Sequence, residues 1–134
     1  MIWDCVLYNG EIDLLELRVK ELAGLVHKTV CVIGSVTHAG EPNDVVLPDG
    51  IGPQAQEVIE EYRLAVPAEG FRFPPRPECA DTCAGYQSWR QYTRFMTEHW
   101  HRNGIKDALL SLGVKDDDTV MVSDLDEVPH PKLI

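Results

Sequence analysis

Two short apolar runs and the segment between them constrain this chain most. Ile2 to Tyr8 is apolar almost throughout, and Thr29 to Ile33 reads Thr-Val-Cys-Val-Ile. Runs of this length, rich in β-branched residues, predict strands covered on both faces. Between them, Leu14, Leu15, Leu17, Leu22 and Leu25 recur at helical spacing, with charged residues opposite. Asn9-Gly10 punctuates the start of that helix and Gly24 its end. Glu11 and Asp13 fall in its first turn, where the helix dipole favours acids. Strand, helix, strand within so few residues is a βαβ unit, which requires a parallel sheet and an α/β fold.

Gly34 to Gly52 is rich in Gly and Pro and reads as a loop containing His38. Pro53 to Glu61 is expected as a short helix, and Tyr62 to Val66 as a third strand. Residues 67–85 read as a proline-rich excursion, since four prolines fall between Pro67 and Pro77. Tyr86 to Gly113 is the longest helical stretch, and Gly104 is expected to divide it. Trp89, Tyr92, Phe95, Met96, Trp100, Leu109 and Leu110 would supply its core face. Arg90, Arg94 and Arg102 are cations of the type that grips phosphate.

The last apolar run, Val120-Met121-Val122, reads as a buried strand and stops at Ser123-Asp124-Leu125-Asp126-Glu127. Strand alternation predicts that Asp124 and Asp126 point the same way beyond the strand's carboxyl end. In an open α/β sheet, ligands bind at that edge. Two carboxylates aimed at one point repel unless a cation lies between them. Oxygen ligands of this kind suit Mg²⁺ or Mn²⁺ shared with a substrate's phosphates. The plain alternative is a solvated acidic turn.

Composition narrows the partners. The 134 residues suit one domain, 1–134, and carry a formal net charge of −10. That charge argues against nucleic acid, which needs a basic surface, but not against a nucleotide held through a metal. No run reaches membrane-spanning length. No basic segment precedes Met1-Ile2-Trp3, so the opening does not read as a signal peptide and a cytoplasmic location is expected. Of the four cysteines, Cys5 and Cys31 read as buried thiols and Cys79 and Cys83 as loop thiols. A zinc site with His99 and His101, or a disulfide in an oxidising compartment, are the alternatives for the second pair.

Two families show an Asp-x-Asp after a strand. The haloacid-dehalogenase-type phosphatases use the first Asp as nucleophile, here Asp124, but their motif opens the fold instead of following most of it. The second resemblance is closer. Glu11-Ile12-Asp13-Leu14-Leu15-Glu16-Leu17-Arg18 resembles E-x-D-L-L-E-x-R, and Thr37-His38-Ala39-Gly40-Glu41-Pro42 resembles T-H-x-G-K-P. Asp117-Asp118-Thr119-Val120 through Asp124-Leu125-Asp126-Glu127-Val128-Pro129 resembles D-D-x-V…D-x-D-E-I-P. Glu98 to Asn103 is similar to E-x-x-Q-R-N, with His101 in place of Gln. In this order the chain resembles glycosyltransferase family 17, the family of the β-1,4-mannosyl-glycoprotein β-1,4-N-acetylglucosaminyltransferases. It departs from the pattern at Ile33-Gly34, where the family carries a Glu.

The resemblance implies a GT-A-like, Rossmann-type, mostly parallel sheet flanked by helices, cut short after the Asp-x-Asp strand. It implies an inverting, metal-dependent transfer of N-acetylglucosamine from a UDP donor to a glycan hydroxyl. Asp126 is the expected metal ligand, with Asp124 on the metal or the ribose and Glu127 orienting either. Tyr8, Asn9 and Glu11 are donor-side candidates at the end of the first strand. His38, Arg102 and Asn103 are candidates for the phosphates. No residue is identified as the general base. Two further expectations follow from the short chain: it binds nucleotide sugar and metal without turnover, or a partner chain or dimer completes it.

Overall fold

A computed structural model describes residues 1–37, 41–47, 51, 57–65 and 75–134. The strands β1 (Ile2–Leu7), β2 (Lys28–Gly34), β3 (Ile59–Leu64) and β4 (Thr119–Val122) form one sheet in the order β3-β2-β1-β4. All three pairings are parallel. Helix α1 (Ile12–Glu21) and helix α2 (Ala84–Ser111) flank the sheet, and a 3₁₀ turn covers Pro131–Leu133. The result is the Rossmann-like α/β architecture expected of the opening βαβ unit.

Side-chain alternation along β1 and β2 creates two cores. Val6, Tyr8, Cys31 and Ile33 pack with Leu15 and Val19 of α1 and with Leu125. Trp3, Cys5, Val30 and Val32 pack on the other face with Leu64 and with Ile105 and Ala108 of α2. Neighbouring residues of one strand therefore serve opposite helices. The α1 face is narrower than the leucine pattern suggests, since Leu17 and Leu25 are exposed and Arg18 is fully buried.

Several boundaries differ from expectation. Residues 59–61, expected to close a short helix, begin β3, because Ile59–Leu64 pairs along β2 in unbroken parallel register. Residues 53–56 and Val66, parts of those two expectations, lie outside the described residues, as does 67–74 of the proline-rich excursion. Helix α2 runs through Gly104 without a break. Its buried side chains are Thr97, His101, Ile105 and Ala108, all toward the C-terminal half, while Tyr92, Phe95, Met96 and Leu110 are exposed. Strand β4 is an outer strand, and Val122 is 52% exposed. Among the described residues it pairs only with β1, so it is not covered as a central strand would be.

Cys79 and Cys83 are disulfide-bonded, not free loop thiols. A turn closed by the Cys83 N–H on the Ala80 carbonyl (2.8 Å) brings them together ahead of α2. Disulfides persist in oxidising compartments, so the pair does not favour the cytoplasmic expectation. Cys5 and Cys31 are free and buried, as expected. No helix among the described residues is long and apolar enough to cross a membrane.

Candidate active site

The sheet order fixes where a ligand can sit. The chain runs outward from β1 through β2 to β3, then returns to place β4 on the other side of β1. The strand order therefore reverses between β1 and β4, and in open α/β sheets the crevice at that switch point is the ligand site. At the opposite, amino end of the strands, the start of β4 is fastened beside β1 by Asp118, which accepts from the Met1 ammonium group (2.6 Å) and from Trp3 Nε1 (3.1 Å).

A cleft of about 340 Å³ opens at the carboxyl ends of these two strands. Leu7 of β1 and Asn9 just beyond it line the cleft, with Glu11 and Leu14 at the start of α1 and Glu98 and Arg102 of α2. Asp124, Leu125 and Asp126 line it from the segment after β4. An apolar groove of about 450 Å³ along the outer side of α2 and β4 shares only Arg102 with it. That groove lacks the convergent acids that chemistry on a phosphorylated ligand needs.

The two aspartates reach the cleft by a route different from strand alternation. The strand ends at Val122, and a turn follows in which the Glu127 N–H donates to the Asp124 carbonyl (3.1 Å). The Glu127 carboxylate accepts from the Asp124 N–H (3.3 Å), tightening the same turn. Leu125 is 6% exposed and points into the core, which turns its two neighbours outward. Asp124 accepts from Arg102 Nη2 (3.1 Å), and Arg102 also donates from Nε to Glu98 (3.1 Å). Those contacts, the Glu98 hydrogen bond foremost, raise the Arg102 pKa and keep its guanidinium cationic. Asp126 is exposed and makes no hydrogen bond or ion pair among the described residues.

The other candidates divide. Asn9 and Glu11 line the cleft, and the Glu11 carboxylate accepts from the Asn9 N–H (3.1 Å) without capping α1 itself. Tyr8 is 1% exposed within the α1-side core and does not line the cleft. Burial pushes its phenol pKa up. Asn103 is exposed on α2 away from the cleft lining. His38 lies outside the described residues. Arg90 and Arg94 line a separate hollow on α2 that meets the cleft only at Glu98. His101 is buried with Nε2 3.0 Å from the Val36 carbonyl, and Cys79 and Cys83 are consumed by their disulfide, so no zinc site forms from them.

Two departures from the family pattern face each other. A Cβ added at Gly34 would fall 1.9 Å from His101 Nε2, so the imidazole occupies the space that a side chain at position 34 would need. A side chain at 34 and the His101 ring in this place therefore exclude each other.

Two residues that fall within the quoted motifs were not among the site candidates. Glu98 enters the cleft as the partner of Arg102, and its i, i+4 spacing was the available signal. Arg18 is fully buried beneath the acidic turn, paired with Asp4 at 2.7 Å. Its place in an amphipathic pattern gave no hint of burial.

For a divalent cation the donor set is sparse. Among the described residues no three His, Cys, Asp or Glu side chains converge into a metal cage. Mg²⁺ and Mn²⁺ that arrive with a diphosphate need only one or two protein carboxylates, and Asp126 with Asp124 fits that requirement. A search of curated proteins and one of solved structures return no match. The model of the family described as Glycosyltransferase family 17 matches residues 1–134, and the chain belongs to that family of sugar-transferring enzymes.

Proposed function

We propose that the chain is a metal-dependent glycosyltransferase of GT-A type that takes a UDP-activated sugar, N-acetylglucosamine foremost, and transfers it with inversion to a glycan hydroxyl. One observation carries this reading. The Asp-x-Asp turn, a cation at Arg102 and the polar end of β1 converge at the switch point of a parallel sheet.

Each residue then has a task. Asp126, exposed and unengaged among the described residues, holds a Mn²⁺ or Mg²⁺ ion, and Asp124 shares it or binds ribose. When bound, the cation acts as a Lewis acid that neutralises charge developing on the diphosphate leaving group. Arg102 already spans Glu98 and Asp124 and turns toward the same diphosphate. Asn9 and Glu11 meet the nucleoside at the end of β1. Glu127 keeps Asp124 in place through its backbone N–H.

Calorimetric titration of UDP and UDP-N-acetylglucosamine, with and without Mn²⁺, tests the reading on wild type and Asp126→Ala. Manganese-dependent binding that weakens at least about tenfold in the variant is expected, the loss of one charged metal contact being worth more than ~1.4 kcal/mol. Binding that ignores Mn²⁺, or survives Asp126→Ala unchanged, would overturn it. Phosphate release from simple esters without UDP would point instead to Asp124 as a phosphatase nucleophile. Tight binding with no sugar transfer to any glycan would leave a donor-binding module.

A further inference from the structure

We propose that Arg18 is the positioning residue of the acidic turn, holding it by its backbone so that the side chains of Asp124 and Asp126 are delivered to the cleft. The ligand arm of this inference rests on the function proposed above; the geometric arm does not.

The donor inventory of Arg18 carries the argument. A guanidinium has five N–H donors in a rigid fork. Two of them, from Nε and Nη2, meet the Asp4 carboxylate at 2.9 and 2.7 Å. The second Nη2 proton goes to Ser123 Oγ at 2.6 Å. Nη1 donates to the carbonyls of Asp124 (3.1 Å), Leu125 (3.4 Å) and Glu127 (3.1 Å). Neutralising a buried cation would need Asp4 alone. Instead, more than half of the fork is spent on four atoms of one turn.

The direction of those atoms matters as much as their number. Three carbonyls aim inward at Arg18, and Asp124, Asp126 and Glu127 leave their carboxylates at the surface. The charge of Arg18 is committed to Asp4, so it does not compete with an incoming cation for the turn's carboxylates. Leu125 in the core and the exposed Arg102–Asp124 ion pair hold the turn only by side chains. Arg18 supplies the additional points that fix it. A lysine offers three donors on a point charge and cannot span the same set. Without Arg18, three inward carbonyls would face the Asp4 carboxylate.

The test must separate this task from plain stabilisation. Asp4→Asn with Arg18→Met removes both charges together, so no unpaired ion is left buried, and the introduced amide retains an acceptor for Thr29 Oγ1. Amide hydrogen exchange is then compared at 123–128 and in β1 and β2, alongside Mn²⁺–UDP titration. We expect exchange at 123–128 to accelerate about tenfold or more while the strands stay protected, as for loss of several hydrogen bonds local to one turn. Mn²⁺–UDP affinity should fall by a similar factor. Arg18→Lys, which keeps a cation beside Asp4 but offers its donors from one atom and cannot span the turn, should accelerate the same amides by a smaller factor while the strands stay protected. It decides the question should the double variant fail to fold. Unchanged exchange at 123–128, or acceleration spread evenly over the strands, overturns the proposal. If the wild type binds no Mn²⁺–UDP, the proposed function fails while the exchange data still decide the role of Arg18.

Discussion

Asp124 and Asp126 sit two residues apart and live in different surroundings. Asp124 shares Arg102 with Glu98, while Asp126 stands free of partners among the described residues. Buried residues nearby carry a different kind of chemistry. Burial pushes the Cys5 thiol up to about 12, and the charge of Asp4 adds to that effect. Burial likewise raises Cys31. In the unfolded chain both thiols would ionise near pH 8.5. Above that pH the unfolded chain has lost protons that the folded chain retains, so stability falls as pH rises. The stabilising contribution is complete below about pH 8.5 and is lost progressively toward about pH 12. Melting curves at about pH 8 and about pH 10 should therefore converge in Cys5→Ala/Cys31→Ala relative to wild type. Equal pH sensitivity in the two proteins would show that the thiols do not carry it. Neither thiol should react with alkylating reagent before the sheet opens, since the thiolate is the nucleophile.

At the scale of elements, close approach replaces the chain breaks that glycine usually signals. Gly104 lies inside α2, and a Cβ there would meet the Leu64 side chain at 2.5 Å. Gly34 ends β2 against the ring of His101. Alanine at 104 gains about 1 kcal/mol of helix propensity, and overpacking costs about 1–3 kcal/mol. Leu64 can swing its methyl groups aside, so the net loss should be small, about 0–2 kcal/mol. Alanine at 34 has no helix propensity to gain and meets a buried ring that is hydrogen-bonded to Val36. A loss of about 3 kcal/mol is expected there. Denaturant unfolding of both variants checks the ranking, and a larger loss at 104 would contradict this account of the α2 contacts. The same glycine shows where sequence reading stops. Gly104 looked like a helix break because propensity is local, whereas its reason for existing is Leu64, forty residues earlier in the chain. Strands β1 and β2 were legible because both their faces are covered and so read as apolar throughout. Strand β3 was displaced toward the C-terminus because Glu60, Glu61 and Arg63 interrupt its pattern. Arg18 closes the E-x-D-L-L-E-x-R stretch, but its burial was unreadable for the same reason as Gly104: its partners Asp4 and the turn at 124–127 are brought to it only by the fold.

For the whole molecule, a parallel α/β fold and the candidate acids could be read from the chain, but their meeting place could not. Nothing in the sequence places β4 beside β1, and that adjacency is what turns an acidic turn into one wall of a cleft. The wall opposite comes from α2, and the floor from the ends of β1 and α1. A ligand there touches four elements at once, so its binding should stabilise the fold as a whole instead of one loop. At a free ligand concentration about one hundred times Kd, linkage gives ~2.7 kcal/mol, which for a chain of this size raises Tm by several degrees. The net charge of −10 complicates a metal titration, because any cation is drawn loosely to such a surface. About 0.15 M salt screens that long-range attraction while leaving direct coordination in place. Under those conditions Mn²⁺ alone should shift Tm little, since no cage of three ligands exists among the described residues. Mn²⁺ with UDP should shift it by several degrees, and Asp126→Ala should abolish the difference. If Mn²⁺ alone matches Mn²⁺ with UDP, the cation is answering to surface charge, and the diphosphate has no part in the site.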